Sequence, residues 1–305
     1  MSSPVPRKGI LAALWLPTDA AGNLLRSELA RNLAFLKGKG IHGVLALGST
    51  GEFPQFDLEQ RKRALAVIAE LAAPLPVIAN VSDIRPRAVA ELGQFARELG
   101  LPAIAIMTPG FFPSSQEDVL AHFLHASEQS GLPALLYNFP ELTGTRINLE
   151  TVAAFAAQAP MLGIKQSGGE FGYHQDLIKL GREKGFSVFS GADTRLPEVF
   201  GLGADGCIGG LVNIAPELML HLYRVCHDRV AGETSPAFAQ LKQIGTIIDR
   251  LTFPLNVAAG MEARGLATGA PKAIVSPASA QLYREIVTEL QAAFRSWSLA
   301  PAAAV

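Results

Sequence analysis

Eight short apolar runs punctuate the chain, each closed by a polar or glycine-rich turn. Their spacing limits the possible folds more than any other feature. They cover residues 9–16, 43–47, 76–80, 103–107, 133–137, 162–165, 187–190 and 206–208. Steps of about 30 residues between successive run ends hold one strand, one helix and two loops, the βα unit of a barrel. The runs are continuous, not alternating, as strands covered on both faces should be. Helical patterns fill the gaps. Asp57-Leu58-Glu59-Gln60 is a capping-box-like start for an amphipathic stretch reaching Ala72. Pro86 opens another that closes at Gly100, and residues 115–130 form a third before Gly131. Strict alternation implies a parallel sheet, and eight candidate strands favour a closed (β/α)8 barrel over an open doubly wound sheet. After Gly210 the strand signal stops, and helices are read at 216–230, 235–251, 256–266 and 278–297. The expected fold class is therefore α/β: a TIM barrel over residues 1–230 and a C-terminal helical domain over 231–305.

Composition closes off other classes. Of 305 residues, 49% are hydrophobic and 17% charged, which excludes a disordered chain. No stretch reaches the ~18 charge-free apolar residues of a spanning helix, so no membrane is expected as partner. The apolar excess belongs to a core. With 26 basic and 27 acidic residues and no basic stripe, nucleic acid is not expected either. Cys207 and Cys226 make no disulfide framework or zinc site and read as reduced thiols of a cytoplasmic protein. Arg7 and Lys8 before residues 10–16 imitate a signal peptide. The run is short, Pro17 and Asp19 follow it, and no small-x-small cleavage site appears, so it is read as a first buried strand.

Active sites of barrels sit at the C-terminal ends of strands. Four polar features lie there. Gly48-Ser49-Thr50-Gly51-Glu52 places two hydroxyls beside backbone N–H groups, which suits a carboxylate or phosphate. Tyr137-Asn138-Phe139-Pro140 puts a phenol at a strand end, where it either shuttles a proton or packs with its hydroxyl bonded to backbone. Gly163-Ile164-Lys165-Gln166-Ser167 closes an apolar strand with a lysine. Burying an ammonium is costly, and the neutral amine that burial favours is a nucleophile; the other reading is a lysine paired with a carboxylate or reaching solvent. Ser190-Gly191-Ala192-Asp193 offers room for a ligand and a carboxylate to accept hydroxyl hydrogen bonds. His122 and His125 share a helix face without a third ligand at suitable spacing and read as a solvated face. No serine elbow or dinucleotide fingerprint is present.

Taken together, Gly48-Ser49-Thr50-Gly51-Glu52, Tyr137-Asn138-x-Pro140 and Gly163-Ile164-Lys165 resemble the dihydrodipicolinate synthase / N-acetylneuraminate lyase family, in family order and spacing from about Gly9 to the last helices. The resemblance implies a barrel with C-terminal helices, usually a homotetramer and otherwise a homodimer. It also implies class I aldolase chemistry on pyruvate without metal or organic cofactor. Lys165 matches the Schiff-base lysine, and Tyr137 the tyrosine that moves protons. Ser49 and Thr50 match the pair that holds the pyruvate carboxylate, and Ile208 an apolar wall of the pyruvate pocket. Ser167, Gly191 and Asp193 are the further substrate-binding candidates, Asp193 matching a residue that holds sugar hydroxyls.

Departures from the pattern narrow the substrate. Dihydrodipicolinate synthases carry an arginine where this chain has Leu142, and a leucine cannot clamp a carboxylate. The stretch Pro109-Gly110-Phe111-Phe112 lacks the tyrosine that the synthase borrows from its neighbour. Leu142-Thr143-Gly144 and Lys165-Gln166-Ser167-Gly168-Gly169 are instead similar to sialic acid lyases and 2-keto-3-deoxy sugar acid aldolases. Thr194 and Gly210 replace the glutamate and serine of the sialic acid lyases. The expected activity is reversible cleavage of a 2-keto-3-deoxy sugar acid to pyruvate and an aldehyde. The alternatives are condensation of pyruvate with aspartate semialdehyde, a sugar-acid dehydratase using the same lysine, and a non-enzymatic 2-oxo acid sensor.

Overall fold

The computed structural model describes Pro4, residues 6–299, Pro301 and Ala302. Eight strands, β1 (Gly9–Ala13), β2 (Gly43–Ala46), β3 (Val77–Asn80), β4 (Ala103–Met107), β5 (Ala134–Asn138), β6 (Met161–Gln166), β7 (Ser187–Ser190) and β8 (Gly206–Gly209), pair in parallel in chain order. Pairing of β1 with β8 closes the barrel. The connections carry α1 (Arg26–Lys39), α2 (Leu58–Ala72), α3 (Pro86–Glu98), α4 (Gln116–Ser130), the short α5 (Pro140–Thr143), α6 (Leu149–Gln158), α7 (Phe171–Lys184) and α8 (Leu196–Leu202). Then follow α9 (Pro216–Cys226), α10 (Ser235–Ile248), α11 (Leu255–Ala263) and α12 (Pro277–Ser296). The expected α/β barrel with C-terminal helices is the observed architecture. Among the described residues no helix is long and apolar enough to cross a membrane.

Strand continuity in the sequence has a direct cause. One set of side chains, including Leu11, Leu45, Ile78, Leu135 and Ile208, fills the barrel interior. The other set, including Ile10, Val44, Val77, Leu136 and Ile164, packs outward against the helices. Both faces are dry, so both positions of the two-residue period are apolar. Residues 10–16 form β1 only as far as Ala13. Beyond it the Trp15 N–H donates to Asn213 Oδ1 at 3.2 Å instead of to a strand. The capping box at Asp57 forms in full, with Asp57 Oδ1 accepting from Gln60 N–H and Gln60 Oε1 from Asp57 N–H. Helices α1, α6 and α7 have neither a side-chain cap nor a proline in the first turn.

The histidines of α4 overturn their reading as a solvated face. His122 and His125 are half-buried and their Nε2 atoms are buried without hydrogen-bond partners. The sequence signal was two polar-looking residues three apart, whereas α4 packs against both α3 and α6. His174 on α7 is more extreme, at 1% exposure with an unpartnered Nε2. Burial pushes the His122 and His174 imidazoles down to about 4. Such a histidine is folded in its neutral form. Between its ordinary value near 6.5 and about 4, the unfolded chain therefore binds a proton that the folded chain refuses, and stability falls with pH. Urea unfolding at pH 7 and pH 5 should show that His174→Leu loses less stability on acidification than the parent, by about 2 kcal/mol. Equal losses would mean that His174 does not titrate in this window.

Candidate active site

Lys165 and Tyr137 meet inside the barrel because of a local irregularity in strand pairing. Ala134 on β5 faces Met161 on β6, but the next residue, Leu135, faces Gly163, so the register skips Leu162. That skip sets Tyr137 opposite Lys165. Met107 flanks Tyr137 on β4, and Phe189 flanks Lys165 on β7. Lys165 is 4% exposed and Tyr137 2%. Lys165 Nζ lies 4.1 Å from the centroid of the Tyr137 ring, a cation–π contact. Among the described residues Lys165 makes no ion pair and no hydrogen bond.

Above this pair sits the 48–51 turn. It is closed by Gly51 N–H to Gly48 O at 3.1 Å and Glu52 N–H to Ser49 O at 3.0 Å. Among the described residues, the Ser49 and Thr50 N–H groups have no acceptor. Two neighbouring unmet donors form a ready anion seat. Ser49 Oγ lies 3.3 Å from the Tyr137 hydroxyl and 4.0 Å from Met107 Sδ. The two hydroxyl residues face different spaces. Thr50 lines a cavity of about 250 Å³ with Tyr137, Lys165, Ser167, Gly191, Asp193 and Ile208. Ser49 lines a larger cleft of about 1130 Å³ and reaches the smaller cavity through Tyr137. Lys165 lines the smaller space and not the larger one.

Asp193 remains partly exposed, but its carboxylate turns inward onto β8. It accepts from Leu211 N–H at 2.8 Å and from the Cys207 thiol at 3.3 Å. A Cβ on Gly209 would stand 1.7 Å from Asp193 Oδ1, so glycine at 209 is what admits this side chain. Burial raises the Asp193 pKa, opposed by these hydrogen bonds and by the charge of Lys165. Burial and then the Asp193 carboxylate hold the Cys207 thiol well above its ordinary value, so it stays a donor. Ser167 N–H donates to Asn138 O at 2.9 Å. Asn138 in turn donates to Gln166 Oε1 at 2.7 Å and accepts from Ile147 N–H at 3.0 Å. The residues following Tyr137 and Lys165 thus lock each other. Ile208 is fully buried and forms an apolar wall.

Two groups named by the sequence lie outside this cavity. Leu142 is 54% exposed and borders the larger cleft, as does Phe111. Conversely, α10 and α11 bring in residues that sequence reading missed: Gly245, Ile248, Asn256 and Val257 roof the cavity opposite Lys165. Asp249 joins them; burial raises its pKa and a hydrogen bond from Asn256 lowers it. Asn256 is 6% exposed and, apart from Glu262, the one polar residue of α11, and that amide was the available signal.

Comparison with known proteins is consistent with this geometry. The profile of the dihydrodipicolinate synthetase family matches residues 6–293. The chain belongs to that family. It is therefore an enzyme of the pyruvate-dependent lyase and aldolase class, whose chemistry runs through a lysine Schiff base and needs no metal. It is 29% identical to a 4-hydroxy-tetrahydrodipicolinate synthase of Methanosphaerula palustris over 86% of this chain and 91% of the relative. A synthase of the same name from Ectopseudomonas mendocina is 32% identical over 83% of each chain. Among solved structures, the prophage protein YagE of E. coli K12, a family member in complex with pyruvate, is similar with a TM-score of 0.85 and 26% identity, covering 93% of this chain and 98% of that one.

The tight floor of the cavity gives a stability test. A Cβ on Gly191 would stand 2.2 Å from Ser167 Oγ. Gly191→Ala should destabilise by roughly 1–3 kcal/mol through overpacking. Adding Ser167→Ala removes the clashing oxygen and should recover part of that loss in thermal unfolding. A double variant no more stable than the single one would place the strain elsewhere.

Proposed function

We propose that this enzyme reversibly cleaves a 2-keto-3-deoxy sugar acid to pyruvate and an aldehyde, with Lys165 as the Schiff-base lysine. The observation that carries this is the Lys165 amine, unpaired and 4.1 Å from the Tyr137 ring, in a cavity shared with Thr50. The Lys165 amine attacks the keto carbon and water leaves, giving a protonated imine. Ser49 and Thr50 N–H groups hold the substrate carboxylate beside it, fixing the angle of attack. Tyr137 takes the proton from the hydroxyl at C4. The C3–C4 bond breaks, its electrons pass to the imine nitrogen, and the aldehyde departs. The remaining enamine is protonated at C3, and water releases pyruvate and the amine. Ser49 Oγ, 3.3 Å from the phenol, is the next stop for the Tyr137 proton.

The substrate class rests on the rest of the cavity. Among its described lining residues Lys165 is the one cation, whereas Asp193, Asp249 and Asn256 offer acceptors for hydroxyl groups. That lining suits a neutral polyhydroxylated tail. A second reading, condensation of pyruvate with aspartate semialdehyde, is favoured by the names of the Methanosphaerula and Ectopseudomonas relatives. It needs a partner for a second carboxylate, and Leu142 supplies none.

Borohydride reduction in the presence of pyruvate should add the mass of a reduced pyruvyl imine to Lys165. Tyr137→Phe should keep that adduct yet lose roughly 10²–10⁴-fold in turnover, the size of a general acid–base contribution. No adduct at Lys165 sinks the mechanism. Condensation with aspartate semialdehyde alone, across a panel of aldehydes offered with pyruvate, sinks the sugar-acid assignment.

Assembly into a homodimer or homotetramer is part of the same proposal. It is supported by exposed Ile84, Phe111 and Ile274 along the larger cleft, with Phe112 edge-on to Phe111. Light scattering should return a multiple of the chain mass, and Phe111→Asp should lower it. A monomeric parent protein removes the assembly proposal.

A further inference from the structure

The 48–51 turn is bracketed by two residues in a backbone conformation that side chains disfavour. Leu47 and Glu52 both have φ of 56°, in the left-handed region. Nothing about leucine or glutamate favours this, so the surroundings must impose it. A different part of the molecule fastens each end.

At Leu47 the fastening is Asn80, the last residue of β3. Its Nδ2 donates to Leu47 O at 2.7 Å. Asn80 is 1% exposed and is itself held on two sides. Its Oδ1 accepts from Ser82 Oγ at 2.6 Å, and its carbonyl accepts from Arg61 Nη2 at 3.1 Å. Ser82 Oγ also accepts from Met107 N–H at 2.8 Å, which ties the arrangement to the strand beside Tyr137.

At Glu52 the fastening is Lys272, from the segment between α11 and α12. Lys272 Nζ lies 3.8 Å from Glu52 Oε2 and 4.4 Å from the centroid of the Trp15 ring. The Lys272 side chain is 3% exposed, and neither Nζ nor Glu52 Oε2 has a hydrogen-bond partner. A dry ammonium with one carboxylate for company holds that carboxylate firmly, because losing it would leave the charge uncompensated.

We propose that Asn80 and Lys272 are positioning residues that pin the two left-handed ends of this turn and thereby aim the Ser49 and Thr50 N–H groups at the carboxylate of the 2-oxo acid. The proposal rests on reading the turn as the carboxylate seat. A released end relaxes toward ordinary backbone and swings the two N–H groups out of convergence. Lys165 and Tyr137 ride on β6 and β5 and keep their places. The effect therefore falls on how much 2-oxo acid is needed to form the imine, and not on whether the imine forms.

The test is borohydride trapping across a range of pyruvate concentrations, read by intact mass. Asn80→Ala and Lys272→Met should each raise half-saturating pyruvate about 5- to 20-fold, the scale of an unsupported left-handed residue, while the trapped fraction at saturation is retained. Asn80→Asp keeps the acceptor for Ser82 and sets a carboxylate oxygen against Leu47 O in place of the donor, so it should raise half-saturating pyruvate at least as much as Asn80→Ala. Glycine adopts left-handed backbone freely. Leu47→Gly should therefore restore most of the affinity in the Asn80 variants and none in Lys272→Met, and Glu52→Gly should do the reverse. Unchanged half-saturation in Asn80→Asp and Lys272→Met, or losses that glycine does not restore, would overturn the proposal. An unaltered protein that traps no pyruvate overturns the reading of the turn, and the clamp with it.

Discussion

The skipped residue where β5 meets β6 brings phenol and ammonium together. Without it Tyr137 would face Ile164, whose side chain belongs to the outer layer, and Lys165 would lose its aromatic neighbour. Because the site is written into strand register, it inherits the rigidity of the barrel. Thr50 and Asp193 come from two other strand ends and Ser167 from the end of β6 itself, with Asp193 and Ser167 held by backbone hydrogen bonds to the same frame.

Among the described residues the side chains of Lys165 and Lys272 are both buried, and the contrast between them is informative. Lys272 has a carboxylate at 3.8 Å and an indole beneath it. Lys165 has the Tyr137 face at 4.1 Å and, among the described residues, no carboxylate within ion-pair distance. An ammonium without a counter-ion in a low-dielectric interior is the less favourable arrangement by itself. A buried amine that opens into a cavity is within reach of a carbonyl substrate. The paired lysine serves architecture, and the unpaired one opens into the cavity.

The barrel was legible because parallel strands buried on both faces leave continuous apolar runs, and βα repetition spaces them evenly. Strand ends then told where polar residues matter, which brought out Lys165, Tyr137 and the 48–52 turn. What stayed hidden depends on contacts between distant segments. Nothing local in Asn80 says that its amide caps Leu47, and nothing in Lys272 says that it lies against Trp15. The α4 histidines were misread for the same reason, since three-residue spacing describes a helix face without saying what covers it. Asn256 was missed because a helix that roofs a barrel and one that packs beside it have the same sequence pattern.

The roof made by α10 and α11 divides labour along the chain. On the proposed function, the groups that touch the 2-oxo acid end of a substrate come from strand ends before residue 209, whereas part of the lining left for the tail, Gly245, Ile248, Asn256 and Val257, comes from after residue 240. On that reading much of the tail's lining can vary without touching the bond-making parts. If the proposed function holds, a few changes on these two helices would redraw the range of accepted aldehydes while the imine chemistry continues. The C-terminal helices are in this sense an exchangeable die set over a fixed press.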